Sequence, residues 1–451
     1  MTSVQGGYGD GTTGGQPHVS ISILEGTSIL PTPRFAGAPP VKGTPMRAML
    51  HGRDGTVRLD DRYLSKHLLF LGSIGTGKTN AMKHLVGELR AKAKAGDVFV
   101  FFDTKGDFEN DFRQPGDAVV SSAGRTCEDG VVWNLFRDIP DHGDRGEEIY
   151  EIASTVFGEE LSKSTENSFF TAAARDIFFA VVDAMTRAGQ EFTNANLREY
   201  LEKPADELVE LMQKYPHLEG TARYLEGERT PESILAVLQQ VLNSSFSGTF
   251  RQPGDFSIRQ FVRGKGGRAL FIEYDIAIGS RLTPVYRVLM DMAIKEALSL
   301  GRGLPEDGGG SVYFILDEFA LLPKLSHITD GINFGRSLGL KFVVGTQNVN
   351  QVIRAYGSEA GQTILSGFGT VFAFRLMDDS SRHLVRQRFG ANRKQITTFA
   401  PVRSEGVQQQ VIMGNVIEDW ALSSLTTGRC IVSLPEGPPF FFTFDKYMSP
   451  D

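Results

Sequence analysis

The sequence predicts an α/β fold, with a mostly parallel sheet and an inserted all-α region. Short apolar runs alternate with segments of helical spacing, which is typical of a sheet buried on both faces. From about residue 146 to 260 this alternation stops, and five segments of helical spacing follow one another. We therefore expect a sheet domain, formed by 46–145 and 261–451, that is interrupted by a helical domain at 146–260. The apolar runs lie at 67–72, 97–103, 267–276, 311–318, 340–347, 370–376, 429–435 and 440–445.

The composition is that of an ordinary globular protein with a substantial core. Of 451 residues, 41% are hydrophobic and 22% are charged. The net charge of -7 excludes a wholly basic nucleic-acid binder and leaves room only for a local basic patch or channel. Cys127 and Cys430, the two cysteines, argue against a disulfide framework and a cysteine-rich zinc site.

The first 45 residues are rich in Gly, Thr and Pro, and we expect a disordered or extended segment there. They carry no apolar stretch of the kind that a signal peptide or anchor requires. No apolar run along the chain approaches the roughly 20 residues of a membrane helix. The sequence therefore predicts a reduced, cytoplasmic setting.

Residues 72–79, GSIGTGKT, match the phosphate-loop pattern G-x-x-x-x-G-K-[ST] in full. Glycines let the backbone curl so that successive N–H groups face phosphate oxygens, and the next helix directs its positive N-terminal end at the same anion. A Gly-rich turn could carry Lys-Thr by chance, but a strand before the loop and a helix after it favour the functional interpretation. We expect Lys78 to reach the β and γ phosphates of ATP and the Thr79 hydroxyl to ligate Mg²⁺. The predicted nucleotide-binding residues are Gly72, Ser73, Ile74, Gly75, Thr76, Gly77, Lys78, Thr79 and Asn80.

Two carboxylates, Asp317 and Glu318, end the apolar run 311–318. Ligands bind at the carboxyl edge of parallel strands, so Asp317 is predicted to hold Mg²⁺ through a water molecule. Glu318 is predicted to activate the water that attacks the γ-phosphate. Gln347 ends the next run, where its amide could sense the γ-phosphate or orient that water. In isolation these would be solvated acids and a loop-capping amide, but beside a phosphate loop we interpret Glu318, Lys78 and Gln347 as catalytic.

Six sequence blocks occur in a fixed order along the chain. They resemble, in that order, the type IV secretion coupling proteins, which are conjugative DNA-transfer ATPases of the FtsK–HerA P-loop superfamily. The resemblance covers about residues 60 to 400 and is far more specific than a phosphate loop alone. The blocks are HLLFLGSIGTGKT (67–79), FFDTKGDF (101–108), VVWNLFRDI (131–139), FILDEFALLPKL (314–325), GRSLGLKFVVGTQNVNQVIRAYG (335–357) and ILSGFGTVFAFRLMDDSSRHLVRQRFG (364–390).

The resemblance implies a RecA-like P-loop domain with an all-α domain, usually in a hexameric ring with DNA in its centre and ATP between subunits. A neighbour's arginine would then complete each site. Arg375 matches the place of the family's candidate arginine finger, and Arg336 is the second choice. The alternative for each is a salt bridge, and Arg375 has Asp378 and Asp379 close by in sequence. The block 103–107 would lie near the phosphates or the subunit interface, or would form a structural Lys–Asp pair.

DNA as a partner also rests on the resemblance. Candidate basic sites are 386–394 and Arg259, Arg263, Lys265 and Arg268, although an ordinary solvated surface is the favoured interpretation of any single one. Family members usually begin with membrane helices, and the sequence shows none. Either work at the inner face of the cell membrane needs a secretion-channel, relaxosome or membrane-anchor partner, or the protein works wholly in solution, as other members of the FtsK–HerA superfamily do.

Three functions are consistent with these observations. The leading hypothesis is an ATPase motor that translocates DNA. An ATP-gated platform that delivers protein substrates to a secretion channel is the alternative. An adenylate-type kinase or a GTPase is disfavoured by the helical insertion and by the lack of an N/T-K-x-D guanine motif after a strand.

Overall fold

The computed structural model describes residues 18–32, 35–39, 45–123, 130–140, 143, 145–163, 168–227, 230–300, 310–322, 324–399 and 407–449. Cys127 and part of the predicted 1–45 segment lie outside these residues. Contacts divide the chain into two compact units. Unit 1 comprises 1–89 with 345–451, and unit 2 comprises 90–344.

Strands and helices alternate along most of the described chain. The strands are β1 (His18–Glu25), β2 (Phe35–Gly37), β3 (Ala48–Gly52), β4 (Gly55–Leu59), β5 (Leu68–Leu71), β6 (Val98–Asp103), β7 (Ala118–Val120), β8 (Ala269–Glu273), β9 (Val312–Leu316), β10 (Leu340–Thr346), β11 (Thr370–Ala373), β12 (Ala391–Phe399), β13 (Val407–Asn415), β14 (Arg429–Ser433) and β15 (Phe440–Thr443). The helices are α1 (Asp61–Leu64), α2 (Lys78–Ala91), α3 (Asp107–Phe112), α4 (Leu135–Asp138), α5 (Arg145–Lys163), α6 (Ser168–Arg187), α7 (Asn194–Leu201), α8 (Ala205–Gln213), α9 (Glu219–Ala222), α10 (Thr230–Ser245), α11 (Ile258–Gly264), α12 (Gly279–Leu300), α13 (Ile328–Leu338), α14 (Val349–Tyr356), α15 (Ser358–Ser366), α16 (Asp379–Phe389) and α17 (Asp419–Ser423).

Nine strands are hydrogen-bonded in the order β15-β14-β11-β5-β10-β9-β6-β8-β7. The pairs β11 with β5, β10 with β9, β9 with β6, β6 with β8, and β8 with β7 are parallel, whereas β14 is antiparallel to both of its neighbours. Side chains of β5, β6 and β9 are buried throughout, as expected for strands covered on both faces. The predicted α/β class with a mostly parallel sheet is confirmed, and each predicted apolar run contains a strand.

Unit 1 also contains two smaller sheets that the sequence did not predict. β1, β12 and β13 form one, and β2, β4 and β3 form the other. β13 leaves Val407, Val411 and Met413 exposed, so these strands lack the continuous apolar run that indicates a buried strand. β1 and β2 fall within residues 1–45, where the described chain is extended but hydrogen-bonded as strands.

In the described parts of unit 2 between Arg145 and Gly264, the chain forms helices α5 to α11 and three short 3₁₀ turns. α6 packs against α5 and α10, and α12 packs against α5 and α11. α6 buries one long apolar side through residues such as Ile177, Phe178 and Val181. The predicted insertion of helices into a sheet fold is confirmed.

The block VVWNLFRDI (131–139) precedes this helical region and bonds to later segments of it. Asn134 caps α4 by accepting the Phe136 N–H (3.0 Å). Its amide nitrogen also donates to Phe192 O (2.9 Å) and to Gly254 O (3.0 Å). One buried side chain therefore connects three segments that are distant in sequence.

Asp138, at the end of the same block, is buried and accepts hydrogen bonds from four donors. Two come from side chains, the Trp133 indole (2.7 Å) and the Ser257 hydroxyl (2.6 Å). Two come from the backbone at the start of α11, Ile258 N (3.2 Å) and Arg259 N (2.9 Å). Burial raises the pKa of Asp138, and these donors oppose that rise. We call Asn134 and Asp138 with their partners the insertion clasp.

Candidate functional site

The phosphate loop lies in unit 1, between the end of β5 and the start of α2. Gly75 and Gly77 have φ of 72° and 104°, a backbone region that favours glycine. A Cβ on Gly72 would lie 2.6 Å from the Phe374 Cβ, and one on Gly77 would lie 3.1 Å from Gly428 N. The glycines of the motif are therefore required by the fold, because the loop passes close to its neighbours.

Hydrogen bonds fix the shape of this loop. Lys78 Nζ donates to Gly72 O (2.5 Å) and Ser73 O (3.1 Å), so the ammonium lies over the loop backbone. The Thr76 hydroxyl donates to Ser73 O (2.8 Å). From outside the loop, Gly428 N donates to Thr76 O (2.9 Å). A curled glycine backbone at a helix N-terminus, with a lysine folded over it, fits a nucleotide triphosphate.

The predicted carboxylates follow β9 in unit 2. Asp317 is buried and Glu318 is partly buried, directly before a 3₁₀ turn at Phe319–Leu321. β10 runs parallel to β9, with Val344 opposite Leu316, so both strands end at the same edge. The carboxylates therefore follow the carboxyl end of a parallel strand, which is where ligands bind in open α/β sheets.

Gln347 is the first residue after β10 and is partly exposed. The residue before it, Thr346, accepts the N–H of Gly72, the first glycine of the phosphate loop (3.3 Å). The structure therefore ties the end of β10 to the start of the loop. The role of Gln347 as a sensor of the γ-phosphate stays a prediction.

Arg375 lies two residues after β11 and next to the phosphate loop in unit 1. Its backbone carbonyl accepts the Ser73 N–H (3.0 Å). Within the described residues, its partly exposed side chain makes no hydrogen bond or ion pair. Asp378 caps α16 instead, by accepting the Ser381 N–H (2.9 Å), and Asp379 pairs with Arg382 (3.5 Å). The salt bridge considered for Arg375 is therefore not formed.

Arg336, the second candidate finger, is exposed in the last turn of α13. Its side chain also has no ion pair among the residues that the structure describes. Phe334, two positions before it, is 59% exposed. Both candidate arginines thus remain available to a ligand or a neighbouring subunit.

The Asn80 side chain binds another segment of unit 1, and the predicted contact of Asn80 with the nucleotide stays a prediction. Its Nδ2 donates to Asp445 O (2.8 Å), and its Oδ1 accepts the Tyr447 N–H (2.8 Å). Both polar atoms of the amide therefore bind the backbone after β15. No motif in that stretch indicated this contact, which joins residues 365 positions apart.

The block 103–107 is structural at its first residue. Asp103 is buried and accepts the N–H groups of Phe108 and Glu109 (2.9 Å each) at the start of α3. Burial raises the pKa of Asp103, and these bonds oppose that rise. Lys105 is exposed, and only its backbone contacts Asp103 (3.3 Å). Asp103 therefore caps a helix rather than pairing with the Lys105 side chain.

Most of the candidate DNA-contacting cations are engaged within the fold. Arg259 bonds Glu148, and Arg263 bonds Glu296 (2.9 Å). The Arg268 guanidinium lies 4.7 Å from the Phe261 ring centroid. In the stretch 386–394 the partners are Asp419 for Arg386, Ser433 and Gly369 for Arg388, Glu25 for Arg393, and Glu418 for Lys394. The favoured interpretation of these residues, an ordinary paired surface, agrees with this geometry.

A network of charges in unit 2 holds the chain that follows Glu318. Asp291, on α12, accepts the backbone N–H groups of Ser326 (3.0 Å) and His327 (3.2 Å). The His327 ring bonds Glu151 on α5, and Lys295 on α12 bonds the same carboxylate (2.5 Å). Helices α5 and α12 thus anchor the start of α13.

These contacts shift the pKa of each group in the network. The His327 and Lys295 partners outweigh burial and hold the pKa of Glu151 at about 2. Burial raises the pKa of Asp291 to about 6. The hydrogen bond to Glu151 raises the pKa of His327.

A family model gives the chain its place among known proteins. Residues 53–411 match the type IV secretion-system coupling protein DNA-binding domain. The chain belongs to this family. The resemblance drawn from the six sequence blocks is confirmed. No curated protein matches the chain.

Solved structures confirm the fold of this coupling-family chain. It is similar to the bacterial conjugative coupling protein TrwBdeltaN70 in an unbound form, with a TM-score of 0.74, 20% identity and 95% of each chain covered. It is also similar to the plasmid coupling protein TrwB in complex with ADP and Mg²⁺, with a TM-score of 0.73, 19% identity and 98% of each chain covered. VirB4 of Thermoanaerobacter pseudethanolicus is more distant, with a TM-score of 0.56, 15% identity, and 92% of this chain and 99% of that chain covered. The predicted RecA-like P-loop domain with an inserted all-α domain is confirmed.

Among the helices that the structure describes, none combines the length and the apolarity that crossing a bilayer demands.

Proposed function

We propose that this chain is a Mg²⁺-dependent ATPase that couples nucleotide turnover to DNA translocation in type IV secretion. The observation that carries the proposal is the phosphate loop, with Lys78 folded over a glycine backbone, in a chain of the coupling-protein family. TrwB, which has the same fold, has been solved in complex with ADP and Mg²⁺ and with a non-hydrolysable ATP analogue. These complexes support a nucleotide at the corresponding loop.

The proposed roles follow from the chemistry of each side chain. Lys78 binds the β and γ phosphates, and the backbone of residues 72–79 holds the phosphate oxygens. The Thr79 hydroxyl and Asp317, the latter through a water molecule, hold Mg²⁺, which neutralises charge on the phosphates. Glu318 orients and deprotonates the attacking water, and Gln347 senses the γ-phosphate.

We further propose that the protein acts as a ring, in which Arg375 of one subunit reaches the ATP that is bound by the next.

 The ring form is supported by the half-exposed Arg375 guanidinium, which has no ionic partner in the described residues. An arginine from a neighbour stabilises charge on the transferring phosphate. Arg336 is the second candidate for the same role.

DNA is the proposed substrate because the matching family model is a DNA-binding domain. Most of the cations considered for DNA contact already bind carboxylates or carbonyls of the same chain, so the DNA grip would involve other residues. A secretion-channel, relaxosome or membrane-anchor protein is the further partner that we propose.

The test is an ATPase assay on the full chain with Mg²⁺, in the presence of single-stranded DNA, double-stranded DNA or no DNA. We expect DNA to stimulate turnover several-fold. Glu318→Gln should bind ATP but lose about 10²-fold or more of the turnover, since a general base contributes about 10² to 10⁴. Equal rates with and without DNA would overturn DNA translocation and favour an ATP-gated recruitment platform instead.

The same assay tests Arg375 by complementation. Arg375→Ala and Glu318→Gln should each be inactive alone, and a mixture of the two should regain part of the turnover. Recovery requires that the arginine and the glutamate of one site come from different subunits. The control is Arg386→Ala, because Arg386 already bonds Asp419 (2.7 Å). A mixture as inactive as its components would exclude Arg375 as a residue acting in trans.

A further inference from the structure

Residues 444–449 follow β15 and lie across the first turns of α2. Asn80 binds their backbone twice, at Asp445 O and at Tyr447 N (2.8 Å each). One turn further on, the His84 ring contacts the same Asp445 O (Nε2 to O, 3.0 Å). The Tyr447 ring packs edge-on against His84, with the ring centroids 5.3 Å apart. We call residues 444–449 the α2 strap.

A second element of unit 1 holds the strap from another direction. Arg53, in the turn between β3 and β4, donates its Nε to Asp445 Oδ1 (2.8 Å). Its backbone N–H donates to Thr443 O (3.0 Å). The strap is therefore held to a helix by its backbone and to a hairpin by the Asp445 side chain, although its own sequence carries no motif.

The position of Asn80 gives the strap a place beside the nucleotide. In a phosphate loop the lysine reaches the β and γ phosphates, the Thr hydroxyl meets Mg²⁺, and backbone N–H groups hold the α and β phosphates. Asn80 directly follows Thr79 in the first turn of α2, at the helix end that faces the anion. A segment fastened to Asn80 therefore lies beside the first turn of α2, next to the loop that holds the phosphates.

The strap presents apolar side chains at this place. Met448 is 76% exposed, and the Tyr447 ring is partly exposed while it packs on His84. Aromatic and apolar side chains are the usual contacts of a nucleotide base, because every base has a π-face. The exposed Met448 side chain and the neighbouring Tyr447 ring therefore have the chemistry to contact a nucleotide base.

We propose, on the basis of the nucleotide site proposed above, that the α2 strap forms the base-side wall of that site. Tyr447 and Met448 contact the base. Asn80 and His84 are positioning residues, which act by holding the strap rather than by touching the nucleotide with their side chains. This assignment explains why the residue after the phosphate loop directs its amide away from a phosphate role.

The first test locates the base directly. The full chain is photolabelled with 8-azido-ATP and Mg²⁺, digested, and mapped by mass spectrometry. We expect label on the peptide that begins at Tyr447, and excess ATP should prevent that labelling. ATP-protected label confined to peptides outside residues 444–449 would overturn the proposal.

The second test separates the base from the phosphates. Calorimetry compares the affinity for ATP with that for inorganic tripolyphosphate, each with Mg²⁺. The double variant Tyr447→Ala, Met448→Ala should bind ATP about tenfold more weakly, the size of one lost stacking contact, with unchanged tripolyphosphate binding. Asn80→Ala should show the same selective loss, and Trp420→Ala, which removes a side chain that is 70% exposed elsewhere in unit 1, should show none.

Equal weakening of both ligands, or of neither, in the strap variants would contradict a base contact. Failure of the nucleotide site itself has a different signature. In that case the unmodified chain would bind neither ligand, or Lys78→Ala would bind both as well as the unmodified chain does.

Discussion

The phosphate loop of unit 1 and the insertion clasp of unit 2 both lie in sequence blocks that resemble the coupling-protein family. The polar side chains of the clasp hold segments of the chain together, whereas the loop forms a surface at a helix end. In the clasp, the Asp138 carboxylate accepts four hydrogen bonds from its own chain, and the Asn134 amide makes three. In the loop, glycines with positive φ and a folded-back Lys78 side chain form a backbone surface at a helix N-terminus.

The difference teaches how a family motif should be interpreted. Where a block resembles a family motif, a buried polar side chain that is bonded on several sides to its own chain is a candidate for a structural role. Asp103 belongs with the clasp by this criterion, since it caps α3. Arg375 belongs with the loop, since its side chain has no ionic partner in the described chain. Substitutions in the two regions should therefore affect different measurements.

The largest expected effect is on turnover, in Lys78→Ala. Removing the ammonium should lower ATP turnover by about 10²-fold or more, as loss of a group that stabilises phosphate charge does in other enzymes. Thermal unfolding without nucleotide should stay nearly unchanged. ADP with Mg²⁺ should raise the midpoint of unfolding in the unmodified chain but not in the variant, because only a bound ligand stabilises the native state.

Lys214→Ala is the matched control for Lys78→Ala, since Lys214 is exposed at the end of α8. It should leave both measurements unchanged. A Lys78→Ala protein that unfolds well below the unmodified chain without nucleotide would break the comparison, because the lysine would then be structural.

The next effect is on stability, in Asp138→Ala. The substitution leaves the Trp133 indole, the Ser257 hydroxyl and the first N–H groups of α11 without their acceptor in a buried site. Each buried donor that is left without an acceptor costs about 1–3 kcal/mol, so we expect a loss of several kcal/mol in the free energy of unfolding. Urea unfolding measures the loss. Asp255→Ala is the control, because Asp255 is exposed only two residues before Ser257, and it should cost less than about 0.5 kcal/mol.

Most of the sheet could be predicted because its strands are buried on both faces and therefore appear as apolar runs. β9 and β6 are examples, since every side chain in them is buried. The phosphate loop could be predicted because its chemistry requires glycines and a lysine at fixed spacing along the chain. Features that depend on residues close together in the sequence can therefore be recognised from the sequence alone.

The remaining features depend on contacts between distant residues, which leave no such signal. Asn134 bonds Gly254, 120 residues away, and Asn80 bonds Asp445, 365 residues away. Nothing in the spacing of either asparagine distinguishes a structural amide from one that binds a ligand. β12 and β13 were missed for a different reason, since few of their side chains are buried and no buried pattern results.

The smallest effect in this series concerns the charge network that anchors the chain after Glu318. In Glu151→Gln the partners His327 and Lys295 lose their shared carboxylate, while Glu148 still faces Lys295 (2.9 Å) and Asp291 still faces His327. Glu151 is partly exposed, so we expect a loss of about 1–2 kcal/mol in the free energy of unfolding. The exposed Glu210, on α8, provides the control Glu210→Gln, which should cost almost nothing.

The pH dependence of that loss identifies its origin. Glu151 has a lowered pKa of about 2 in the folded chain, so its contribution is full above its unfolded pKa of about 4.5 and fades as the pH falls toward 2. His327 has a raised pKa, so its contribution is full below about 6.5 and fades as the pH rises through its folded pKa. The difference in unfolding free energy between the unmodified chain and Glu151→Gln should therefore be largest between about pH 4.5 and 6.5. A difference that stays constant from pH 3 to 9 would mean that Glu151 stabilises the fold by packing rather than by its ion pair with His327.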